Sequence, residues 1–406
     1  MEDITVETNR IAAFFSSVNK FAYICGLPNF LNNNNNLPPL IVRYNTIYIS
    51  LINILLFSFV AIENLSFITQ KNFTTKQKND LMTFAVSHFM LSFYYVSLYL
   101  NRNTVKKLAF TLTISLKKLY NDVNIEKDAI KKSKVYMVIF LSLCSGAIFS
   151  YGLEALILVV LEDGKFITVI TAFPDVEDNS VVGNIWRVVF YLFWWFFIVR
   201  IIALFLVVIV SIIYLRYQYK NLQSYFYSLA TIFDEDISQS EKENKYEKAL
   251  KTGIQLHADT LRCTKDCQQA FYVVLSVQLL INMMTVVLIM MRFMVNIKKS
   301  LTSEHTPMNL LATGVMGTAI LIGTGLFMWN LGDVTVEASK VPTAIYSSGW
   351  ENCTRGSSAR VRHLISFSIT QGQKHVALRA IGVIELSYSS YVTLVKSSYS
   401  VFSLIY

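Results

Sequence analysis

The sequence predicts an all-α polytopic membrane protein with seven transmembrane helices, a cytoplasmic N-terminus and an extracellular C-terminus. Of its 406 residues, 53% are hydrophobic and 16% are charged, whereas a soluble chain usually carries about 25% charged residues. The mean hydropathy is +0.44. Long apolar stretches follow one another along the chain, and basic residues are concentrated in alternate connections between them.

Six apolar stretches are long enough to cross a bilayer. A transmembrane helix needs roughly 20 mainly apolar residues, because each residue adds about 1.5 Å along the helix axis. We predict spans at Tyr44–Ile68, Leu81–Leu100, Val135–Val160, Ile185–Leu215, Ala270–Met291 and Met308–Leu331.

A seventh predicted span, Ile381–Tyr406, is unusually polar and carries Glu385 and Lys396. A hydroxyl-rich helix face inside a membrane is expected where helices bond to one another or where the helix lines water. The ammonium group of Lys396 favours water, since a buried charge is costly without hydration or a partner. At 100° per residue, one narrow sector of this helix holds Ser389, Thr393, Lys396, Ser400 and Ser403.

The distribution of basic residues predicts the orientation. Of 36 Lys and Arg residues, 26 lie in alternate loops beginning with the N-terminal tail, 7 lie in the other loops, and 3 lie within spans. Because positive residues are retained in the cytoplasm, the N-terminus is predicted to be inside. The net charge of +9 therefore reflects membrane topology, and no nucleic-acid partner is expected. With no signal peptide recognised at the start of the chain, the first span is expected to direct insertion.

Glycosylation sequons agree with this orientation. Asn72 lies in the first outer loop and is the predicted acceptor. A sequon at Asn64 falls at the end of the first span. A third, at Asn352, falls in a loop assigned to the cytoplasm and should not be modified.

The chain divides into segments with distinct expected roles. Residues 11–25 carry apolar side chains at helical spacing and predict an amphipathic helix, which either lies at the membrane surface or packs on the protein's own cytosolic part. The predicted segments are a cytoplasmic N-terminal segment (1–43), spans one to six (44–331) with a cytosolic helical extension (216–269), a cytoplasmic region (332–380) and the seventh helix (381–406).

Motifs for catalysis, metal binding or cofactor binding are missing from the sequence. It has no Gly-rich phosphate loop and no His-Glu-x-x-His motif, so we predict neither an enzyme nor a cofactor. Cys263 and Cys267 stand four residues apart on a predicted helix near His257, but the spacing favours ordinary buried thiols over a metal site.

Aromatic residues concentrate in the apolar spans, most densely in YLFWWFFIVR at positions 191–200. Such side chains can line an apolar cavity that captures a small hydrophobic molecule. Alternatively, each of them faces lipid or packs between helices. His88, inside the second span, either hydrogen-bonds to another helix or meets a ligand.

The C-terminal stretch from Gln373 to Tyr406, QKHVALRAIGVIELSYSSYVTLVKSSYSVFSLIY, resembles the end of insect odorant receptors without a gap. A second segment, VEASKVPTAIYSSGW at 336–350, is similar to the family segment before its last helix. At two positions where the family commonly has proline, this chain has His375 and Glu385. The matching residues are Gln373, Lys374, Leu386, Ser387, Tyr391, Ser398, Tyr399 and Ser400, with Ser339, Tyr346 and Trp350 upstream.

This resemblance implies a non-selective cation channel gated by small hydrophobic odorants. In that family, odorant-binding subunits assemble as heterotetramers with an invariant odorant receptor co-receptor, in the dendritic plasma membrane of olfactory sensory neurons. The co-receptor is longer and ends differently, so this chain is expected to be a tuning subunit.

The resemblance also implies roles for individual residues. Cytosolic helices from Gly332 to Gln373 would hold subunits together, and the last helix would line the pore with the five polar residues of its sector. Odorant would bind among the outer halves of spans two, three, four and six. Mapped by position, the predicted pocket residues are His88, Phe89, Ser145, Phe149, Phe193, Trp194 and Met316.

Two other functions compete with this prediction. Gustatory receptors resemble these chains and signal as homomeric ligand-gated channels, but their typical Thr-Tyr and Gln-Phe ending is missing here. A secondary transporter should show two similar halves with broken helices, and the halves of this chain do not repeat.

Overall fold

A computed structural model describes residues 9–31, 39–161, 164–300, 307–354, 356 and 358–405. Within these residues the chain forms helices joined by turns and loops, and one small hairpin. The α-helices are α1 (Arg10–Ile24), α2 (Pro39–Arg43), α3 (Asn45–Thr69), α4 (Thr75–Leu100), α5 (Arg102–Phe110), α6 (Leu116–Leu119), α7 (Val123–Leu161), α8 (Val181–Ser228), α9 (Gln239–Ser300), α10 (Pro307–Ser339), α11 (Val341–Tyr346), α12 (Ser358–Gly372) and α13 (Tyr388–Ile405).

The predicted spans one to six lie in α3, α4, α7, α8, α9 and α10. These six described helices are long and apolar enough to cross a membrane, and the chain is a multi-pass membrane protein. Several of them continue well beyond the apolar stretch, most clearly α8 and α9. Hydropathy detects only the apolar part of a helix, whereas the helix itself ends where its hydrogen-bond ladder is capped or broken.

Side-chain caps explain where several helices begin. Asn9 accepts from the backbone N–H of Ile11 at the start of α1. Thr74 and Gln77 form a reciprocal capping box at the start of α4. Ser180 accepts from the N–H of Gly183 and caps α8. Each cap satisfies backbone N–H groups that have no partner within the helix.

Helix α8 is the central element of the bundle. Almost every side chain from Arg200 to Leu215 is buried, and α8 contacts α1, α7, α9, α10 and α11. A helix that is apolar on all sides is expected to be surrounded by other helices rather than to lie at the surface. This explains why the most hydrophobic span of the sequence is also the most enclosed.

The N-terminal amphipathic helix packs on the protein itself. The apolar face of α1 is buried against α8, with the ring centroids of Phe15 and Tyr214 6.3 Å apart. Of the two placements left open by the sequence, the described contacts favour packing on the protein.

Helix α8 packs on α9 and α11, and α11 packs on α12. The hydroxyls of Tyr246 and Ser348 lie 2.5 Å apart. The Arg360 Nη2 atom lies 3.0 Å from the Glu247 carboxylate, and this hydrogen bond, with a second from Lys251, lowers the pKa of Glu247. Helix α12 is thereby attached to α9 by a polar contact.

The predicted start of the seventh span at Ile381 is wrong, because α13 begins at Tyr388. The preceding residues form an antiparallel hairpin of β1 (Arg379–Ala380) and β2 (Ile384–Glu385). Ile381 and Gly382 in its turn have φ values of 54° and 75°, which are incompatible with an α-helix. The stretch Ile381–Glu385 therefore belongs to a hairpin rather than to a span.

The two residues found where the family pattern has proline contact each other. His375 Nε2 lies 2.9 Å from the Glu385 carboxylate. The hairpin is also attached to α9, since Ile381 N–H donates to Ser276 Oγ at 2.8 Å. A side-chain contact thus joins His375, before the hairpin, to the second strand of the hairpin.

Candidate functional site

The bundle contains a cavity of about 200 Å³ between α4, α7, α8, α9 and α10. Its wall is mainly apolar, with few polar side chains, as expected for a site that binds small molecules. Aromatic side chains in the wall are Phe84, Phe140, Tyr151, Trp194, Phe205 and Phe327. Polar side chains are Ser87, His88, Gln278, Asn282, Thr285 and Thr324.

The structure brings three of the seven predicted pocket residues into this wall, namely His88, Trp194 and Met316. The other four lie outside it. Phe89 and Phe149 are 52% and 60% exposed, and Ser145 and Phe193 are half-buried.

Each of these four is adjacent in sequence to a residue that does line the cavity. The lining neighbours are His88, Cys144, Ile148 and Trp194. Successive residues on an α-helix are rotated by about 100°, so a displacement of one position turns a side chain from the cavity towards another surface. Mapping by position therefore reached the turns of α4, α7 and α8 that line this cavity, but these four residues lie on other faces of the helices.

His88 is held by two buried partners. Trp194 Nε1 donates to His88 Nε2 at 3.0 Å, so the Nδ1 atom carries the proton and donates to Glu63 Oε2 at 2.8 Å. Glu63 is fully buried, and its Oε1 has no hydrogen-bond partner among the described residues. Of the two roles predicted for His88, bonding to another helix is observed, and its ring also lines the cavity.

Trp194 is the centre of an aromatic cluster beside the cavity. Its ring centroid lies 5.0 Å from that of Phe84 and 5.8 Å from that of Tyr151. Edge-to-face and tilted ring pairs contribute stability beyond their buried area. The hydrogen bond and the ring contacts together restrict how Trp194 is presented to a ligand.

Two amide side chains on α9 form a polar patch in the apolar wall. Tyr94 Oη donates to Gln278 Oε1 at 2.6 Å, and Gln278 Nε2 donates to Asn282 Oδ1 at 2.8 Å. This order of bonds leaves the Nδ2 group of Asn282 as a donor beside the cavity. Sequence reasoning missed this pair, although a Gln and an Asn four residues apart in an apolar span signal a polar contact within the bundle.

A buried group of charges lies near Met316. Arg292 bonds to Asp80 and to the Tyr151 hydroxyl, and its Nη2 atom lies 3.8 Å from the Glu154 carboxylate. Tyr151 Oη in turn donates to Met316 Sδ at 3.1 Å. Asp80 and Arg292 each stand one residue outside a predicted span, so the sequence assigned them to loops, whereas tertiary packing buries both.

The predicted polar sector of α13 faces away from the bundle. Leu394 and Ser398 are buried against the neighbouring helices. Within this sector, the Thr393 hydroxyl donates to the carbonyl of Ser389, 3.0 Å away, so this hydroxyl is hydrogen-bonded within its own helix. The exposed residues of the sector are Ser389, Thr393, Lys396, Ser400 and Ser403.

One carboxylate joins the start of α13 to the cavity-forming helices. Asp333 on α10 lies 2.9 Å from Lys132 Nζ on α7 and 2.7 Å from Arg216 Nη1 on α8. It also accepts a hydrogen bond from the Tyr388 hydroxyl at the first residue of α13. Asp333 therefore connects α7, α8, α10 and α13 through a single carboxylate.

The predicted glycosylation site at Asn72 lies in the exposed turn between α3 and α4. Its Nδ2 atom donates to Glu177 Oε1 at 3.0 Å.

Comparison with known families gives one match, to a family described as 7tm Odorant receptor, over residues 75–399. Comparison with curated proteins gives no match. Among solved structures, the insect olfactory receptor OR5 from Machilis hrabei in complex with eugenol is similar, with a TM-score of 0.76, 13% identity and 97% of each chain covered. A second structure of that receptor gives a TM-score of 0.74, 14% identity and the same coverage. At such low identity the structural likeness shows the fold.

Proposed function

This chain belongs to the 7tm odorant receptor family, and we propose from that premise that it binds small hydrophobic volatile molecules in the cavity between α4, α7, α8, α9 and α10. The observation that supports this most directly is the cavity itself, which has a volume of about 200 Å³ and an apolar wall with a few polar groups. The Machilis hrabei receptor of the same fold was solved in complex with eugenol, which is consistent with a small ligand.

The preferred ligand carries a hydrogen-bond acceptor. Most of the wall offers only dispersion contacts, which suit an apolar body. The Nδ2 group of Asn282 offers one donor, held in place by Gln278. A ligand without an acceptor would leave this Nδ2 donor unpaired in an apolar site, which is costly. Oxygenated odorants should therefore bind better than hydrocarbons of the same shape.

Binding is proposed to gate a non-selective cation channel formed with the odorant receptor co-receptor. The exposed polar sector of α13 supports a helix that lines water at the axis of a tetramer. Contacts at Asp333 supply a route by which movement around the cavity reaches α13. A homomer would place four copies of Lys396 around one pore, where their mutual repulsion opposes cations. A mixed assembly reduces that repulsion.

The proposed topology has the N-terminus in the cytoplasm and seven spans, with α13 as the last. The asymmetry of Lys and Arg between alternate loops supports this topology. So does the exposure of Asn72, the predicted glycosylation site, in the first loop on the side opposite to the N-terminus. The α11–α12 region would then be cytoplasmic and would contact neighbouring subunits. The expected location is the dendritic plasma membrane of olfactory sensory neurons.

The decisive experiment records odorant-evoked currents in cells that express this chain with and without the co-receptor, across a panel of volatile compounds. Currents are expected only from the pair. Robust current from this chain alone would favour the alternative of a homomeric channel of the gustatory-receptor type. Current that requires a G protein would contradict both.

A further inference from the structure

A second cavity, of about 720 Å³, opens between the loop after α1 and the facing ends of α3 and α4. Two basic side chains of the following helix α5, Arg102 and Lys106, also line it. Among the described residues of its wall, none is acidic. Amides and hydroxyls complete the polar part of the wall, contributed by Asn29, Asn45, Thr46, Ser50 and Asn53. Such a wall matches an anion.

A buried cation lies directly behind this wall. Arg200 is 4% exposed, and its Nη2 atom donates to Asn53 Oδ1 at 2.6 Å and to the Gly26 carbonyl at 3.4 Å. Its guanidinium lies 3.8 Å from the ring centroid of Tyr95. Its Nε has no partner among the described residues.

These partners of Arg200 are neutral, and two of them, Asn53 and Tyr95, also line the cavity. A guanidinium buried among neutral groups is costly unless an anion lies nearby. Together with Arg102 and Lys106, the Arg200 guanidinium gives this cavity a positive potential that a bound anion would compensate.

An apolar groove continues from this cavity along the same two helices. It has a volume of about 360 Å³ and is lined mainly by Phe57, Val60, Ala61, Phe89, Phe93 and Val96. Phe57 and Tyr95 mark the junction, with ring centroids 6.3 Å apart. Phe89 and Phe93 are about half exposed, so the groove is open to the surroundings of the bundle.

The combined length of the basic cavity and the apolar groove matches one leaflet of a bilayer. Phe89 lies 11 positions before Leu100, the last residue of α4, which corresponds to roughly 17 Å at the helical rise per residue, and Arg102 follows at the start of α5. Half of a bilayer, including headgroups, measures about 20–22 Å. In the proposed topology the basic end faces the cytoplasm, where anionic lipids are concentrated.

We propose that the groove between α3 and α4 binds one anionic phospholipid, with its phosphate beside Arg102 and Lys106 and an acyl chain along Phe93 and Phe89. This site is separate from the odorant cavity. A free anion would satisfy the basic end alone and would leave the apolar groove unexplained.

Native mass spectrometry of the full-length chain, titrated with phosphatidylserine or phosphatidylcholine, tests the proposal without any odorant readout. The wild type should retain one phosphatidylserine in preference to phosphatidylcholine. The double variant Arg102→Ala/Lys106→Ala should retain it roughly 30-fold less, which corresponds to about 1 kcal/mol for each basic residue. Lys118→Ala/Lys248→Ala removes the same charge from exposed positions outside the groove and should match the wild type.

A second variant tests the apolar half with the charges intact. Ala61→Trp fills the groove from α3 and should also reduce phosphatidylserine retention, while soluble glycerophosphoserine should compete poorly because it lacks acyl chains. Thermal melting checks that each variant is folded. The proposal is overturned if the double variant or Ala61→Trp retains phosphatidylserine like the wild type. Equal retention of phosphatidylcholine by the wild type, or full competition by the soluble headgroup, overturns it as well.

Discussion

His88 Nδ1 lies 2.8 Å from Oε2 of Glu63, and both side chains are buried inside the helical bundle. This contact fixes the proton on Nδ1 and leaves Nε2 to accept from Trp194. A carboxyl group on α3, outside the cavity wall, thus determines how two wall residues on α4 and α8 are oriented.

Removing the acceptor at Glu63 should destabilise the bundle. Glu63→Leu leaves the Nδ1 proton of His88 without a partner in an apolar environment, at an expected cost of about 1–3 kcal/mol. Glu63→Gln keeps an acceptor and should lose less. Thermal unfolding of the purified variants measures the difference, and equal losses for the two substitutions would show that the hydrogen bond is unimportant.

The cavity wall should control ligand size, and its outer neighbours should not. Ile148→Ala enlarges the cavity, so odorant preference should shift towards molecules one or two methylenes longer, with relative sensitivity changing about 10-fold or more. Phe149→Ala removes more atoms from the adjacent, 60% exposed position and should leave the preference unchanged. Dose–response curves over a homologous odorant series distinguish them; a matching shift in Phe149→Ala would place the ligand elsewhere.

Asn282 should discriminate oxygenated odorants from hydrocarbons. Asn282→Leu removes the Nδ2 donor, so sensitivity to an ester or alcohol should fall about 2- to 13-fold, the equivalent of a hydrogen bond worth about 0.5–1.5 kcal/mol. A hydrocarbon of the same shape should be unaffected. Asn64→Leu, outside this cavity, is the control. If both classes of odorant lose sensitivity equally, the amide is structural only.

Lys396 should limit cation flow. Replacing it with serine removes a positive charge from the exposed sector of α13, so single-channel cation conductance of the assembly with the co-receptor should rise. Lys374→Ser removes the same charge from an exposed position before the hairpin and should have no such effect. Unchanged conductance in Lys396→Ser would place this sector away from the pore.

Acid should destabilise the part of α9 around His257. Burial lowers the pKa of His257 to about 4, so the folded state keeps this side chain neutral while an unfolded chain binds a proton below its ordinary pKa of about 6.5. The contribution to stability is therefore complete above pH 6.5 and is lost progressively as the pH falls from 6.5 to 4. At pH 5 the loss should be about 2 kcal/mol.

Thermal unfolding between pH 7.5 and 5 checks this dependence. His257→Asn should flatten the profile, whereas His363→Asn, at an exposed position of α12, should leave it intact. An identical acid slope in the wild type and His257→Asn would assign the destabilisation to other groups.

The spans were predictable because each depends on a local property. A run such as Ile185–Leu215 is long and apolar enough to be excluded from water whichever residues pack against it. The serine-rich sector of α13 follows from the angle between successive residues of a helix. The start of α13 was not predictable in this way. Ile381–Ile384 is apolar enough to extend a span, but a turn with positive φ values and contacts to α9 stabilises a hairpin there.

By itself, the sequence determined the membrane environment, six helical spans, a basic asymmetry between loops and one helix with a polar face, because hydropathy and helical period are properties of neighbouring residues. Only the tertiary structure decided that Ile148 rather than Phe149 lines the cavity and that Asp80 meets Arg292. Those outcomes depend on the rotation of each helix and on contacts between residues more than a hundred positions apart. Packing of the whole bundle sets both, and no local pattern encodes them.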